Sequence, residues 1–193
     1  MIIGLDISLS SPGWCRIDTE TKAVTFDTLN YSKLQGMERI ATAAKDLVEL
    51  CRPADLVVTE GLSMGLPMGK NGPFVPQGRS DLIGLTYILR LWLWKAKRIT
   101  LLIPPTTLKK WTTGSGKSDK SLMIREVTRR WGVEVADDNQ ADAVALAEFG
   151  RAYLEPAACE LTKYQMEALK KAATLHVSEG SHEKVRAADG SAA

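Results

Sequence analysis

The chain has few of the residues that most zinc and redox centres are made from. Its 193 residues include two histidines and three cysteines. Cys15, Cys51 and Cys159 are scattered without paired spacing, which argues against a zinc site and for a reduced compartment. His176 and His182 both lie in the C-terminal region, and neither has a catalytic partner nearby in sequence. No long hydrophobic run is present. The most apolar stretch, Leu82 to Trp94, is interrupted by Arg90 and is too short to span a bilayer. Met1 leads directly into an apolar strand, so no signal peptide is expected. These absences lead to the expectation of a soluble protein that works in the cytoplasm.

A strong overall charge is also lacking. The net charge is +2, with 45% hydrophobic and 25% charged residues, ordinary values for one globular domain with a sizeable core. The distribution is more informative than the total. From Lys109 to Arg130 the chain carries seven bases (Lys109, Lys110, Lys117, Lys120, Arg125, Arg129, Arg130) and two acids (Asp119, Glu126). That segment is +5, so the remainder is −3. A basic segment on a near-neutral protein suits a polyanion held at one face, although a solvated helix surface gives the same pattern.

Periodicity sets out an α/β domain. Residues 2–7 read as a buried strand, followed by a Ser-, Pro- and Gly-rich turn at 8–13. Residues 14–18 and 23–29 complete a three-strand meander. Helical spacing runs from Met37 to Cys51, and Leu56 to Thr59 is a short, fully apolar strand suited to a central position. Residues 61–78 form a long loop with five glycines and three prolines, which in a compact domain is functional or disordered. Residues 80–97 read as a helix apolar almost all round, and 99–103 as a fifth strand. Helices are then expected over 118–131, 138–154 and 160–176. The sum is a mixed five-stranded sheet flanked by helices. Three regions are expected: a domain over 1–155, a helical appendage over 156–177 and a disordered polar tail over 178–193.

The acids carry the chemistry. Asp6 ends the first strand and Glu60 ends the fourth, so neighbouring strands would bring both carboxylates to one end of the sheet. Asp138 and Asp142 are four apart at the start of a helix, on one face, whereas Asp137 points elsewhere. Taken singly, Asp6 reads as a turn residue and Asp138 as an N-cap. Glu60, just after Leu56-Val57-Val58, is costly if buried and unpaired, and Asp142 falls among alanines and a valine. Four carboxylates this close repel one another unless cations neutralise them. Oxygen-only ligands select Mg²⁺, with Mn²⁺ as a substitute, over zinc. Two such ions about 3.5–4 Å apart suit phosphodiester hydrolysis. Gly114-Ser115-Gly116-Lys117-Ser118 is similar to the tail of a phosphate-binding loop, but Trp111 stands where the first glycine of that pattern belongs.

These residues together resemble the RuvC-type Holliday junction resolvases of the RNase H-like superfamily, closest to their bacteriophage branch. The resemblance runs from Ile3 to about Phe149. It rests on Gly4-Leu5-Asp6 through Ser10 to Gly13-Trp14, on Val58-Thr59-Glu60, and on Gln77, Gly78 and Gly84. Pro105, Lys109, Thr113-Gly114-Ser115-Gly116-Lys117 and Lys120 are similar to the family's basic segment, and Asp138-Asn139-Gln140-Ala141-Asp142-Ala143 to its closing motif. The resemblance implies an RNase H-like fold and a homodimeric, Mg²⁺-dependent endonuclease that nicks four-way DNA junctions in pairs, in a host cytoplasm if the gene is a phage's. Asp6, Glu60, Asp138 and Asp142 would be its catalytic and metal-binding residues. Lys109, Lys110, Lys117 and Lys120 would meet DNA, and Phe74 would stack on a base within the junction. The chain departs from the family at Asn139, where the family has His or Asp; Asn139 can reach the same face, but an anionic oxygen suits Mg²⁺ better, so Asp138 is expected as the fourth group. Two rival classes are a branched-DNA binder that does not cut and an actin-like phosphotransferase. The latter needs two such domains, more than this length provides.

Overall fold

The computed structural model describes residues 1–61, 68–69, 72–73 and 77–176 of the chain. Three strands, β1 (Ile2–Asp6), β2 (Gly13–Ile17) and β3 (Val24–Thr28), make the expected antiparallel meander. Helix α1 (Gly36–Cys51) crosses over to β4 (Leu56–Glu60), which pairs with β1 in parallel. Two antiparallel strands of two residues each, β5 (Met68–Gly69) and β6 (Gly72–Pro73), precede α2 (Gln77–Lys95) and β7 (Ile99–Ile103), which lies parallel to β4. Helices α3 (Pro105–Thr113), α4 (Lys120–Trp131) and α5 (Asp138–Leu154) follow. A short 3-10 turn at Pro156–Ala158, α6 (Lys163–Leu169) and β8 (Ala173–His176) complete the described chain.

The strand order is β3-β2-β1-β4-β7-β8. The five-stranded mixed sheet read from the sequence is its core, and β8 adds an antiparallel strand on the β7 edge. That strand corrects the helix expected over 160–176. Helical structure there is confined to Lys163–Leu169, closed at its start by a capping box between Thr162 and Gln165. The apolar spacing used to extend the helix continues into a segment that pairs with β7 instead. Residues from 177 onward, including the tail expected to be disordered, lie outside the described residues. Among the described residues no helix is long and apolar enough to cross a membrane.

Alternation along the central strands divides the core in two. Ile2, Leu56, Val58, Leu101 and Ile103 pack with Val144, Phe149 and other residues of α5, and with Leu108 and Trp111 of α3. Ile3, Leu5 and Val57 face the other way, against Leu47 and Cys51 of α1 and Leu89 and Leu93 of α2. The contact between α5 and β1 is unusually close. A Cβ at Gly4 would lie 2.2 Å from the Ala143 carbonyl oxygen and 2.4 Å from the Ala147 nitrogen. A Cβ at Gly13 would lie 2.1 Å from the Asn139 carbonyl oxygen. Buried Ala141, Ala143, Ala145 and Ala147 keep the helix correspondingly thin.

Gly4→Ala should therefore cost roughly 1–3 kcal/mol or more, because helix backbone rather than a flexible side chain must give way. Gly84→Ala, in α2 with nothing within 4 Å of the new Cβ, should be neutral or stabilising. Urea unfolding of the two variants checks this. An unchanged midpoint for Gly4→Ala would mean that α5 is not seated on β1 as described.

Candidate active site

The carboxylates meet because of strand register and parity. Leu5 is paired with Thr59, so Asp6 and Glu60 follow at the same level on adjacent parallel strands. Asp6 shares the face of Ile2 and Gly4, and Glu60 that of Leu56 and Val58. Both therefore turn toward α5. That helix brings Asp142 in from above, one residue before Ala143, whose carbonyl abuts Gly4.

All four acids are half-buried. Burial, with Asp142, Glu60 and Asp138 close by, pushes the Asp6 carboxyl well above the usual range. Burial and then Asp142 raise Glu60 to about 7, against a smaller pull from Lys109. Burial and then Asp138 raise Asp142 to about 6, opposed by Lys109 and Lys120. The site holds more negative charge than its bases neutralise. Among the described residues, no three acid, histidine or cysteine side chains converge tightly enough to ligate one ion as they stand. The donor chemistry is nonetheless that of a hard divalent cation: carboxylate oxygens only, at one end of the sheet.

The start of α5 decides between Asp137, Asp138 and Asn139. Asp137 is the N-cap, and its carboxylate accepts a 2.8 Å hydrogen bond from the Gln140 backbone N–H. The N-cap reading of Asp138 is thus corrected: Asp138 is the first helical residue, and its side chain is ion-paired with Lys120 of α4. Asn139 Nδ2 donates to Ser11 Oγ at 3.1 Å, tying α5 to the turn after β1. The Asp137-x-x-Gln140 pattern carried this assignment in the sequence, since a cap is followed three residues later by Glu or Gln.

The expected DNA-binding residues have different fates. Lys109 acts electrostatically on Glu60 and Asp142, and Lys120 reaches the carboxylates directly. Lys117 is exposed on the connection between α3 and α4. Lys110 is instead engaged by Glu167 of α6 at 2.9 Å, which offsets its charge. Phe74 lies outside the described residues. The 113–118 segment is a helix–helix connector rather than a phosphate loop. Gly114 ends α3 in the left-handed conformation, and Asp119, not an open N-terminus, caps α4 through the Leu122 N–H.

No protein-family model matches the chain, and no curated protein matches it in sequence. Solved structures do resemble it. RuvC of Thermus thermophilus superposes with a TM-score of 0.55 at 16% identity, covering 76% of this chain and 90% of that one. A structure of T. thermophilus RuvC in complex with a Holliday junction substrate gives 0.57 at 12% identity, covering 76% and 88%. The Fowlpox virus resolvase bound to Holliday junction DNA gives 0.44 at 16% identity, covering 77% and 96%, too low a score to carry an argument. The chain thus has the RNase H-like fold of the RuvC resolvases, as its motifs led one to expect.

The raised carboxyls make a stability prediction. Glu60 and Asp142 hold protons more tightly folded than at their ordinary values of 4.5 and 3.8. They favour the folded state below about pH 4, and that contribution is lost as pH rises through about 6–7. Without divalent cations at pH 8, Asp142→Asn should raise the thermal midpoint, by roughly 2–4 °C for each kcal/mol of repulsion relieved. At pH 4.5 the gain should shrink. Thermal melts at both pH values check this, and a lower midpoint at pH 8 would contradict it.

Proposed function

We propose that the chain is a metal-dependent, structure-selective DNA endonuclease that resolves four-way junctions by paired nicks. The observation that carries this reading is the gathering of Asp6, Glu60 and Asp142 at one end of an RNase H-like sheet, with Asp138 beside them. Two RuvC structures share that fold, and one holds a Holliday junction. Mg²⁺, or Mn²⁺ in its place, would be held by these four carboxylates and would supply water activation and neutralisation of the phosphate's charge. The protein's own part is to hold the oxygens in place on two strands and a helix. Lys109 and Lys120 draw the DNA backbone toward a site that would otherwise repel it. Ser11 fixes Asn139, so the start of α5 stays docked on the β1 turn. A binder that does not cut is the second reading, favoured by the open spacing of the carboxylates.

Asp6→Asn, Glu60→Gln and Asp142→Asn should each abolish cleavage of a labelled junction in Mg²⁺ and leave binding largely intact. Asp138→Asn should fold normally, cut poorly and be partly rescued by Mn²⁺. Asn139→Ala should lose stability rather than chemistry. Near-normal cutting by an acid variant would remove that residue from the site. Binding without nicks by the wild-type protein would favour the second reading.

A homodimer is part of the proposal, since two opposed nicks suit a two-fold axis. Helix α2 exposes Tyr87, Leu91 and Trp94 by 55%, 50% and 52%, at positions that share one stripe. Light scattering at micromolar concentration should give twice the chain mass, and Leu91→Asp should shift it toward monomer. A wild-type protein that is monomeric with and without DNA would refute this.

A further inference from the structure

The end of the sheet opposite the carboxylates carries a second basic site. Helices α1 and α2 cover one face of the sheet, and their C-terminal ends border a groove of about 470 Å³. Buried Cys51 and Leu93 form its floor, and Arg52, Trp92, Lys95 and Arg98 line it above. Lys97 follows, exposed on the turn into β7. Lys95, Lys97 and Arg98 thus cluster beyond Arg52, and the two acids nearby are engaged elsewhere. Glu49 pairs with Arg52 at 2.8 Å, and Asp55 pairs with the N-terminal amine. The basic segment from Lys109 to Arg130 is remote from this groove, because it begins after the opposite end of β7.

Two details indicate what the groove accepts. Arg98 Nη1 donates to the Ala54 carbonyl at 3.1 Å, but its Nε–H is buried with no acceptor among the described residues. The groove-lining Arg98 guanidinium is suited to anionic oxygen. Trp92 is 51% exposed, with the Lys95 ammonium 5.5 Å from its ring centre. An exposed aromatic amid bases is the usual platform for an unpaired base and its phosphates. At about 100° per residue, Trp92 lies on a flank of α2 distinct from the Tyr87–Leu91–Trp94 stripe. One helix can therefore serve both surfaces.

We propose that this groove binds a short single-stranded nucleic-acid segment, its phosphates on Lys95, Lys97 and Arg98 and one base against Trp92. The site is separate from the carboxylates and does not depend on the cleavage reading. The test is fluorescence anisotropy of a labelled ten-residue oligothymidylate with the full chain in EDTA. Trp92→Ala should weaken binding about fivefold or more, and Trp92→Phe should restore most of it. Lys95→Ala with Lys97→Ala should lower the log–log salt slope by about 1.4, or 0.7 for each contact. Lys117→Ala with Lys120→Ala should cost less oligothymidylate affinity than Trp92→Ala does. The proposal is overturned if the oligonucleotide does not bind, if Trp92→Ala binds as wild type, or if the loss follows Lys117 and Lys120 instead. A mass change on light scattering for Trp92→Ala also overturns it, because the groove is then an interface between copies. A protein that cuts junctions but ignores the oligonucleotide refutes this site and leaves the nuclease reading intact.

Discussion

The close seating of α5 on β1 and β2 is the contact on which the rest of the molecule depends. It exists because Gly4 and Gly13 have no side chain where the helix backbone passes, and because α5 presents alanines to the sheet. A helix held one side chain further away would leave Asp142 too far from Asp6 to act on it. The glycines thus act on the site through geometry, and the Asn139–Ser11 hydrogen bond pins the same junction beside Gly13.

That geometry has an energetic cost. Burial and mutual repulsion raise three carboxyls, and the nearby lysines oppose only part of the effect. A fold that needed only stability would place apolar residues there. The cost is borne by the two packed cores on either face of the sheet and by the Trp111–Phe149 edge-to-face contact between α3 and α5, with ring centres 5.0 Å apart. Strained electrostatics are concentrated at the C-terminal ends of two central strands, the pattern expected of a functional site. The opposite end, with its bases around Trp92, carries charge of the other sign.

Much of this was legible in the chain, for identifiable reasons. Strand alternation and the apolar Leu56–Thr59 run pointed to a central fourth strand, which the structure pairs with β1, and the four-residue spacing of Asp138 and Asp142 placed both on one helix face. The sequence read less well where two physical rules competed. In Asp137-Asp138-Asn139 any of the three can cap a helix, and only the Gln140 that follows singles out Asp137. The 160–176 segment has helical spacing throughout, yet its last residues complete the open edge of β7, a long-range demand that local periodicity does not encode. Lys110 looked like its basic neighbours until α6 brought Glu167 against it. The engagement of Lys120 with Asp138 joins two helices and has no local signature.

The central claim is that Asp6, Glu60, Asp138 and Asp142 form one metal site. Its most direct test is an anomalous difference map from crystals of the protein grown with Mn²⁺ and a four-way junction. The account predicts two peaks about 3.5–4 Å apart between β1, β4 and the start of α5, with carboxylate oxygens of these residues as their protein ligands. Peaks elsewhere, or a junction bound across this end of the sheet with no metal among the four acids, would contradict it.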